Sequence, residues 1–295
     1  MRVPPCSADA SYAPLVIDDP SSAIRRFHAT TELERDGDPE ARALARLRCS
    51  GSAQPSVAAF ADLRRRLAGV RDPDLIVVDL RKESHGFVNG VAVSWYAETN
   101  WGTAGLSDDD AVALERLRLA LLASAPTVRI GNALDVKRGR PLTLSEWHPH
   151  TVQREADAFG LGDGHHVRLP VVDHCGPSDP VIDRFVDLIR GRSPTSHLHV
   201  HCRGGKGRTA TVLAMLDMLH HAADVPLDAI LARQARLCDY DLTKPADPES
   251  RKAPFLRARL ALIQQFYGYA QTRPLDHEAR WSDWIANQPA ARPPG

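Results

Sequence analysis

The sequence carries no surplus of either charge: 37 lysines and arginines are matched by 37 aspartates and glutamates. That balance argues against a nucleic-acid coat or a membrane-surface protein, both of which depend on a strong basic excess. Cysteine is scarce. The five thiols, Cys6, Cys49, Cys175, Cys202 and Cys238, form no CxxC pair and no dense framework, and an odd count in a chain this long does not read as a disulfide scaffold. No apolar run approaches the roughly 20 residues of a membrane span. The first ten residues contain no apolar stretch of the kind a secretory leader uses. There is no internal repeat and no coiled-coil heptad.

What is present is the pattern of an α/β protein. Residues 1–45 are rich in Pro, Ser, Asp and Arg with little periodicity, and read as an N-terminal extension to a domain over 46–295. Helical spacing predicts helices over 57–70, 108–123, 179–190, 209–221, 227–237, 254–269 and 281–287. Short β-branched runs predict strands at Leu75–Asp79, at His166–Val172 and at Leu198–Val200, the last running into His201-Cys202. Residues 124–150 alternate short strand-like pieces with Gly and Pro, and read as a small β-rich insertion. Strands alternating with helices indicate a sheet flanked by helices.

The chemistry concentrates in His201-Cys-Arg-Gly-Gly-Lys-Gly-Arg-Thr209, between a strand and a helix. A thiol must become a thiolate to attack. A helix N-terminus and a ring of backbone N–H groups favour that anion and form a concave nest for a phosphate. Gly204, Gly205 and Gly207 let the backbone curl. Arg208 closes the ring with a planar fork suited to two phosphate oxygens, and Thr209 is placed to hydrogen-bond the sulfur. A buried structural cysteine beside a turn does not explain this combination. A nucleotide-binding P-loop fails because Gly207, not Ser or Thr, follows Lys206. A third reading is a zinc site on the shared face of His197, His199 and His201.

Protonating a leaving oxygen requires an acid. Asp173, in Val171-Val-Asp-His-Cys-Gly-Pro177, lies in a Gly- and Pro-containing loop between a strand and a helix, where a side chain can reach over a pocket. The competing role is a helix cap, for which Ser178 and Asp179 are nearer. His174 is placed to contact a phosphate. Arg81 and Lys82 follow a buried strand at its carboxyl end, where α/β sheets hold ligands, and are expected to bind peripheral phosphates. Arg203 and Lys206 are expected to border the pocket opening.

His-Cys-x5-Arg-Thr resembles the signature of the tyrosine phosphatase superfamily. Adding Ser50-Gly-Ser-Ala-Gln54, Asp79-Leu-Arg-x-Glu-Ser-His-Gly-Phe-x-Asn-Gly90, Val172-Asp-His174 and the tail motifs Gln265-Phe-Tyr-x-Tyr269 and Trp281-Ser-x-Trp284, the chain resembles bacterial tyrosine-phosphatase-like phytases over roughly residues 48–287. The resemblance implies a phosphatase core with a mostly parallel central sheet and a small β-barrel-like subdomain. It implies stepwise hydrolysis of myo-inositol hexakisphosphate and lower inositol phosphates without cofactor or metal. Cys202 is then the nucleophile, Arg208 the phosphate ligand, Asp173 the acid, His174 a substrate contact, and Lys244 and Lys252 pocket lysines. The expected partner is a small inositol phosphate, not nucleic acid or membrane. Relatives injected into host cells make an exported protein the expected location. Arg203 and Lys206 depart from the family loop, which commonly has an acid and an apolar residue there. The enzymatic alternative is a dual-specificity protein or phosphoinositide phosphatase; the non-enzymatic one is an inactive phosphate-binding module, which an intact Cys202, Asp173 and Arg208 argue against.

Overall fold

The computed structural model describes residues 13–31, 39–71, 74–272, 275 and 278–288. The first 12 residues and 32–38 of the expected N-terminal extension lie outside the described residues, as does Cys6.

Eleven strands form two sheets among the described residues: β1 (Leu15–Asp19), β2 (His28–Ala29), β3 (Cys49–Ala53), β4 (Leu75–Arg81), β5 (His85–Val88), β6 (Val91–Trp95), β7 (Val128–Asn132), β8 (Ser145–Trp147), β9 (Val152–Gln153), β10 (His166–Val171) and β11 (His197–Cys202). The helices are α1 (Pro39–Ala45), α2 (Val57–Arg66), α3 (Asp108–Ser124), α4 (Ala133–Lys137), α5 (Glu155–Phe159), α6 (Asp179–Gly191), α7 (Gly207–His221), α8 (Leu227–Cys238), α9 (Ala253–Thr272) and α10 (Trp281–Ala286).

The central sheet has the order β10-β4-β11-β3-β2. β11 runs parallel to both β3 and β4, β10 parallel to β4, and only β2 is antiparallel. Side chains alternate across β11. Leu198, Val200 and Cys202 face the larger core, with α6, α7, α9 and α10, while His197, His199 and His201 face the other way. The apolar residues of α7 are buried on every side, from Ala210 to Leu219, so the helix that begins at the glycine-rich loop runs through the middle of the molecule. Such a helix is fixed in all directions, which makes it a rigid mount for a site.

The second sheet has the order β8-β7-β1-β6-β5-β9. It corrects two expectations. The β-rich subdomain is not an insertion confined to 124–150: only β7 and β8 come from there, and the rest come from 15–19, 85–95 and 152–153. The segment before residue 46 is not merely an extension, because β1 pairs with both β6 and β7 at the middle of this sheet. Val16 is fully buried there, and Leu15 nearly so. Compositional bias hid a strand of only five residues.

Candidate active site

The carboxyl ends of four parallel strands meet at one edge. Cys202 at the end of β11 lies beside Ala53 of β3, His201 beside Asp79 of β4, and Val171 of β10 beside Arg81. The loop 203–206 leaves β11 and enters α7 at once. Gly205 has φ +61, and a Cβ there would collide with the backbone of Ser52 and Ala53, so the tight return needs glycine on two counts. Cys202 is 3% exposed, and its Sγ accepts a hydrogen bond from Thr209 Oγ1 at 3.3 Å.

Arg208, at the first turn of α7, is buried and doubly held. Nη1 and Nη2 donate to Glu83 Oε2 and Oε1 at 2.7 and 2.9 Å, and Nη1 also donates to the Val171 carbonyl. Its Nε makes no hydrogen bond, though it lies 3.4 Å from Asp173 Oδ1. A planar cation aimed by one carboxylate, with a donor left over, is equipped to take an anion. Burial alone would raise the Glu83 carboxyl, but Arg208 and Arg81 outweigh it and hold the group well below the usual carboxylate range. The sequence assigns Glu83 no role; its signal is its fixed place in the Asp79-Leu-Arg-x-Glu-Ser-His motif.

Asp173 sits past the end of β10. Its Oδ2 accepts from Asn100 Nδ2 at 3.0 Å, and its carbonyl accepts from Trp101 Nε1 at 2.8 Å. The Trp101 ring packs against Phe255, centroids 4.7 Å apart. Thr99, Asn100 and His174 all have positive φ, at 57, 66 and 68°, so the backbone is strained on both sides of this carboxylate. Burial works to raise the Asp173 pKa, but Arg208 prevails and lowers it. Asp173 does not cap α6, whose N-cap is Ser178. Burial first, with Lys252, Arg208 and Arg259 adding to it against the opposing pull of Asp173, lowers His174 to about 4, so the ring is neutral at neutral pH.

A cavity of about 540 Å³ opens beside the loop. Lys206 and Lys244 both line it, with Arg257 and Arg259, against Asp239 and Asp241. Arg259 is 3% exposed and donates to the Tyr240 hydroxyl at 3.2 Å; sequence periodicity hid it as one more arginine on α9. Lys252 lies outside this lining but close enough to His174 to oppose its charge.

Three expected rim cations are elsewhere. Arg81 is fully buried, bonded to Asp18, Glu83 and Gln54. Lys82 pairs with Asp108 at 3.1 Å. Arg203 is only 8% exposed, donates to Asp18 Oδ1 at 2.6 Å and lies 4.4 Å over the Tyr96 ring. Each is drawn inward by an acid distant in sequence. Gly204, by contrast, is exposed and free of neighbours on its Cβ side.

The zinc reading of the β11 histidines gives way to hydrogen bonding. Both nitrogens of His199 meet serine hydroxyls, Ser50 at 2.9 Å and Ser52 at 3.0 Å; His197 Nε2 shares Ser50, and His201 Nε2 meets Glu155 at 2.7 Å. Ligand atoms of Asp79, Glu155 and His166 do lie within 4.8 Å of one another. Arg168 and His85 already crowd the same Asp79 oxygen at 3.3 Å each, a poor setting for a cation.

A family model for PTP-like phytases, described by inositol hexakisphosphate, matches residues 78–220. Effector protein hopD2 of Pseudomonas syringae pv. tomato is 33% identical over 216 residues, 72% of this chain and 46% of that protein. The PTP-like myo-inositol phosphatase of Mitsuokella multacida, solved with myo-inositol-(1,3,4,5)-tetrakisphosphate, superposes with a TM-score of 0.84 and 27% identity over 96% of this chain and 49% of that one. A PTP-like phytase from Bdellovibrio bacteriovorus gives 0.75 and 29% over 95% and 97%. The chain therefore spans about half the length of the Pseudomonas and Mitsuokella proteins and nearly all of the Bdellovibrio one.

Proposed function

Because the chain belongs to the protein-tyrosine-phosphatase-like phytase family, we propose that it hydrolyses phosphomonoesters of inositol polyphosphates through a phosphocysteine intermediate. The observation that carries this reading is the pairing of Cys202 Sγ, bonded to Thr209, with an Arg208 whose direction is fixed by Glu83 and whose Nε is unbonded. In the first step Cys202 attacks phosphorus, the ester P–O bond breaks, and Asp173 gives its proton to the leaving alkoxide. In the second, water attacks the phosphocysteine, Asp173 takes its proton, and the thiolate leaves with the Thr209 hydroxyl bonded to sulfur. The transition state is loose and its charge lies on the equatorial oxygens, so positioning by the N–H nest and Arg208 carries most of the catalysis.

Asp173 is ionised in the free protein, and a proton donor must first acquire a proton. A phosphate dianion entering the loop supplies the reason to do so. It competes for Arg208 and adds negative charge beside the carboxylate, and both effects raise proton affinity. The same charge favours protonated His174. Four cations against two acids around the neighbouring cavity support a substrate with several phosphates over a lone phosphotyrosine. Similarity to an effector protein supports export, which a translocation-reporter fusion would test.

The deciding experiment sets inositol hexakisphosphate beside a phosphotyrosine peptide, with wild type and Cys202→Ser. Phosphate release from the first, little from the second, and none from Cys202→Ser is expected, while the variant still binds ligand. Preference for the peptide would replace the substrate; an active Cys202→Ser would remove the mechanism.

A further inference from the structure

Asp18, on β1, belongs to the second sheet, yet both of its oxygens are spent on residues of the catalytic edge. Oδ1 accepts from Arg203 Nε at 2.6 Å and from Ser94 Oγ at 2.7 Å; Oδ2 accepts from Arg81 Nη1 at 2.7 Å. From Arg81 the line continues, because its Nε donates to Glu83 Oε1 at 3.0 Å and Glu83 holds Arg208. Arg203 directly follows Cys202, and Arg208 stands in the first turn of α7, where the loop ends. One carboxylate thus reaches the beginning of the loop in one link and its end in three. Tyr96, just past β6, lies against the Arg203 guanidinium and fixes its plane.

We propose that Asp18 is a positioning residue for the catalytic loop, acting through Arg203 on one side and through Arg81 and Glu83 on the other. The second sheet is then part of the mould that sets the loop's N–H nest and Arg208 against Cys202. This role rests on the phosphatase reading given above. The physical need is plain: a loop with three glycines has high backbone freedom, and an anion nest stabilises a transition state only when its donors are fixed before the reaction. The Asp18 side chain is 1% exposed and that of Arg203 9%, so solvent screens the pair little. Burial tends to raise the Asp18 carboxyl, but Arg203 and Arg81 bring it down to about 2, so the acid stays ionised throughout the working range.

The test uses the full chain as wild type, Arg203→Gln, Asp18→Asn and the double variant. The readouts are kcat and KM with nitrophenyl phosphate and with inositol hexakisphosphate, the thermal midpoint, and calorimetric affinity for inorganic phosphate. Arg203→Gln is expected to keep a cooperative melt and to lose roughly 10- to 100-fold in kcat on both substrates. The double variant is expected to be no slower than Asp18→Asn alone, since both changes cut one path. A kcat within about twofold of wild type in Arg203→Gln, or losses that multiply in the double variant, overturns the proposal. A loss confined to KM for inositol hexakisphosphate overturns it in favour of direct substrate contact by Arg203, and loss of the cooperative melt in Arg203→Gln makes the pair a folding requirement and also overturns it. If Asp18→Asn fails to fold, Arg203→Gln decides alone, because it leaves the Asp18–Arg81 pair intact. Wild type active only on nitrophenyl phosphate would refute the substrate reading and leave this test standing on that substrate. Were wild type to hydrolyse neither, phosphate affinity decides: clear weakening in Arg203→Gln supports the role, and unchanged affinity refutes it.

Discussion

An arginine buried beside a thiol has to have its charge answered and its direction fixed, and Glu83 does both for Arg208. Removing one partner of such a buried pair leaves an uncompensated charge, at a cost of about 3–5 kcal/mol, so Glu83 matters to the fold as well as to the site. Asp173 is the opposite kind of residue. It is partly exposed, flanked by strained backbone, and held by Asn100 and Trp101. For Asp173→Asn we expect roughly a 100-fold or greater loss of kcat on inositol phosphates, whose alkoxide needs a proton, and only a few-fold loss on nitrophenyl phosphate, whose phenolate does not. Parallel initial-rate assays check this, and equal losses would take the acid role away from Asp173. That Cys202, Arg208 and Asp173 come together at one edge is legible in the sequence, because their residue types and order suit one chemistry. Glu83, Asn100 and Asp18 are not, because what they do is decided by partners 63 to 185 residues away.

At the scale of the element, β11 carries two different cargoes. One face delivers Cys202 to the loop, and the other buries histidines. Burial, aided by Arg48 and Arg192, lowers His197 to about 4, and burial with neighbouring imidazoles holds His199 well below its ordinary value. On β5 the sign is reversed: burial and Arg81 oppose the charge of His85, but Asp79 and Glu115 prevail and raise it to about 10. A histidine held neutral destabilises the fold as pH falls from about 6.5 toward 4, because the unfolded chain then binds more protons; for His197 the effect reaches on the order of 3 kcal/mol. A histidine held charged contributes stability below about 6.5 that is lost as pH rises through about 10. The thermal midpoint, followed from pH 4 to 10, should therefore peak near neutrality and fall on both sides. A midpoint still climbing below pH 6 would contradict the neutral-histidine account. All seven helices expected from periodicity are present, with ends within a few residues, because each has an apolar face to bury. Periodicity in the sequence does not mark the β5–β6 hairpin as strands. Its strands bury His85 against Asp79 and Glu115 and Ser94 against Asp18, which removes the alternation that marks a strand.

The whole molecule is less divided than its sequence suggests. A boundary near residue 45 follows from composition, yet β1 sits inside one sheet and its Asp18 reaches the edge of the other. Composition reports whether a segment can build its own core; it is blind to a short strand that completes someone else's. The five tryptophans are distributed with similar consequence. Trp281 and Trp284 stack on each other and meet Tyr269 edge-on, Trp95 and Trp147 pack in the second sheet, and Trp101 alone among them bonds to Asp173. The molecule thus carries its own optical probe, bonded to the residue proposed as the acid. Titrating inorganic phosphate into Cys202→Ser should shift the indole emission, and Trp101→Phe should abolish that shift while the other four indoles still emit.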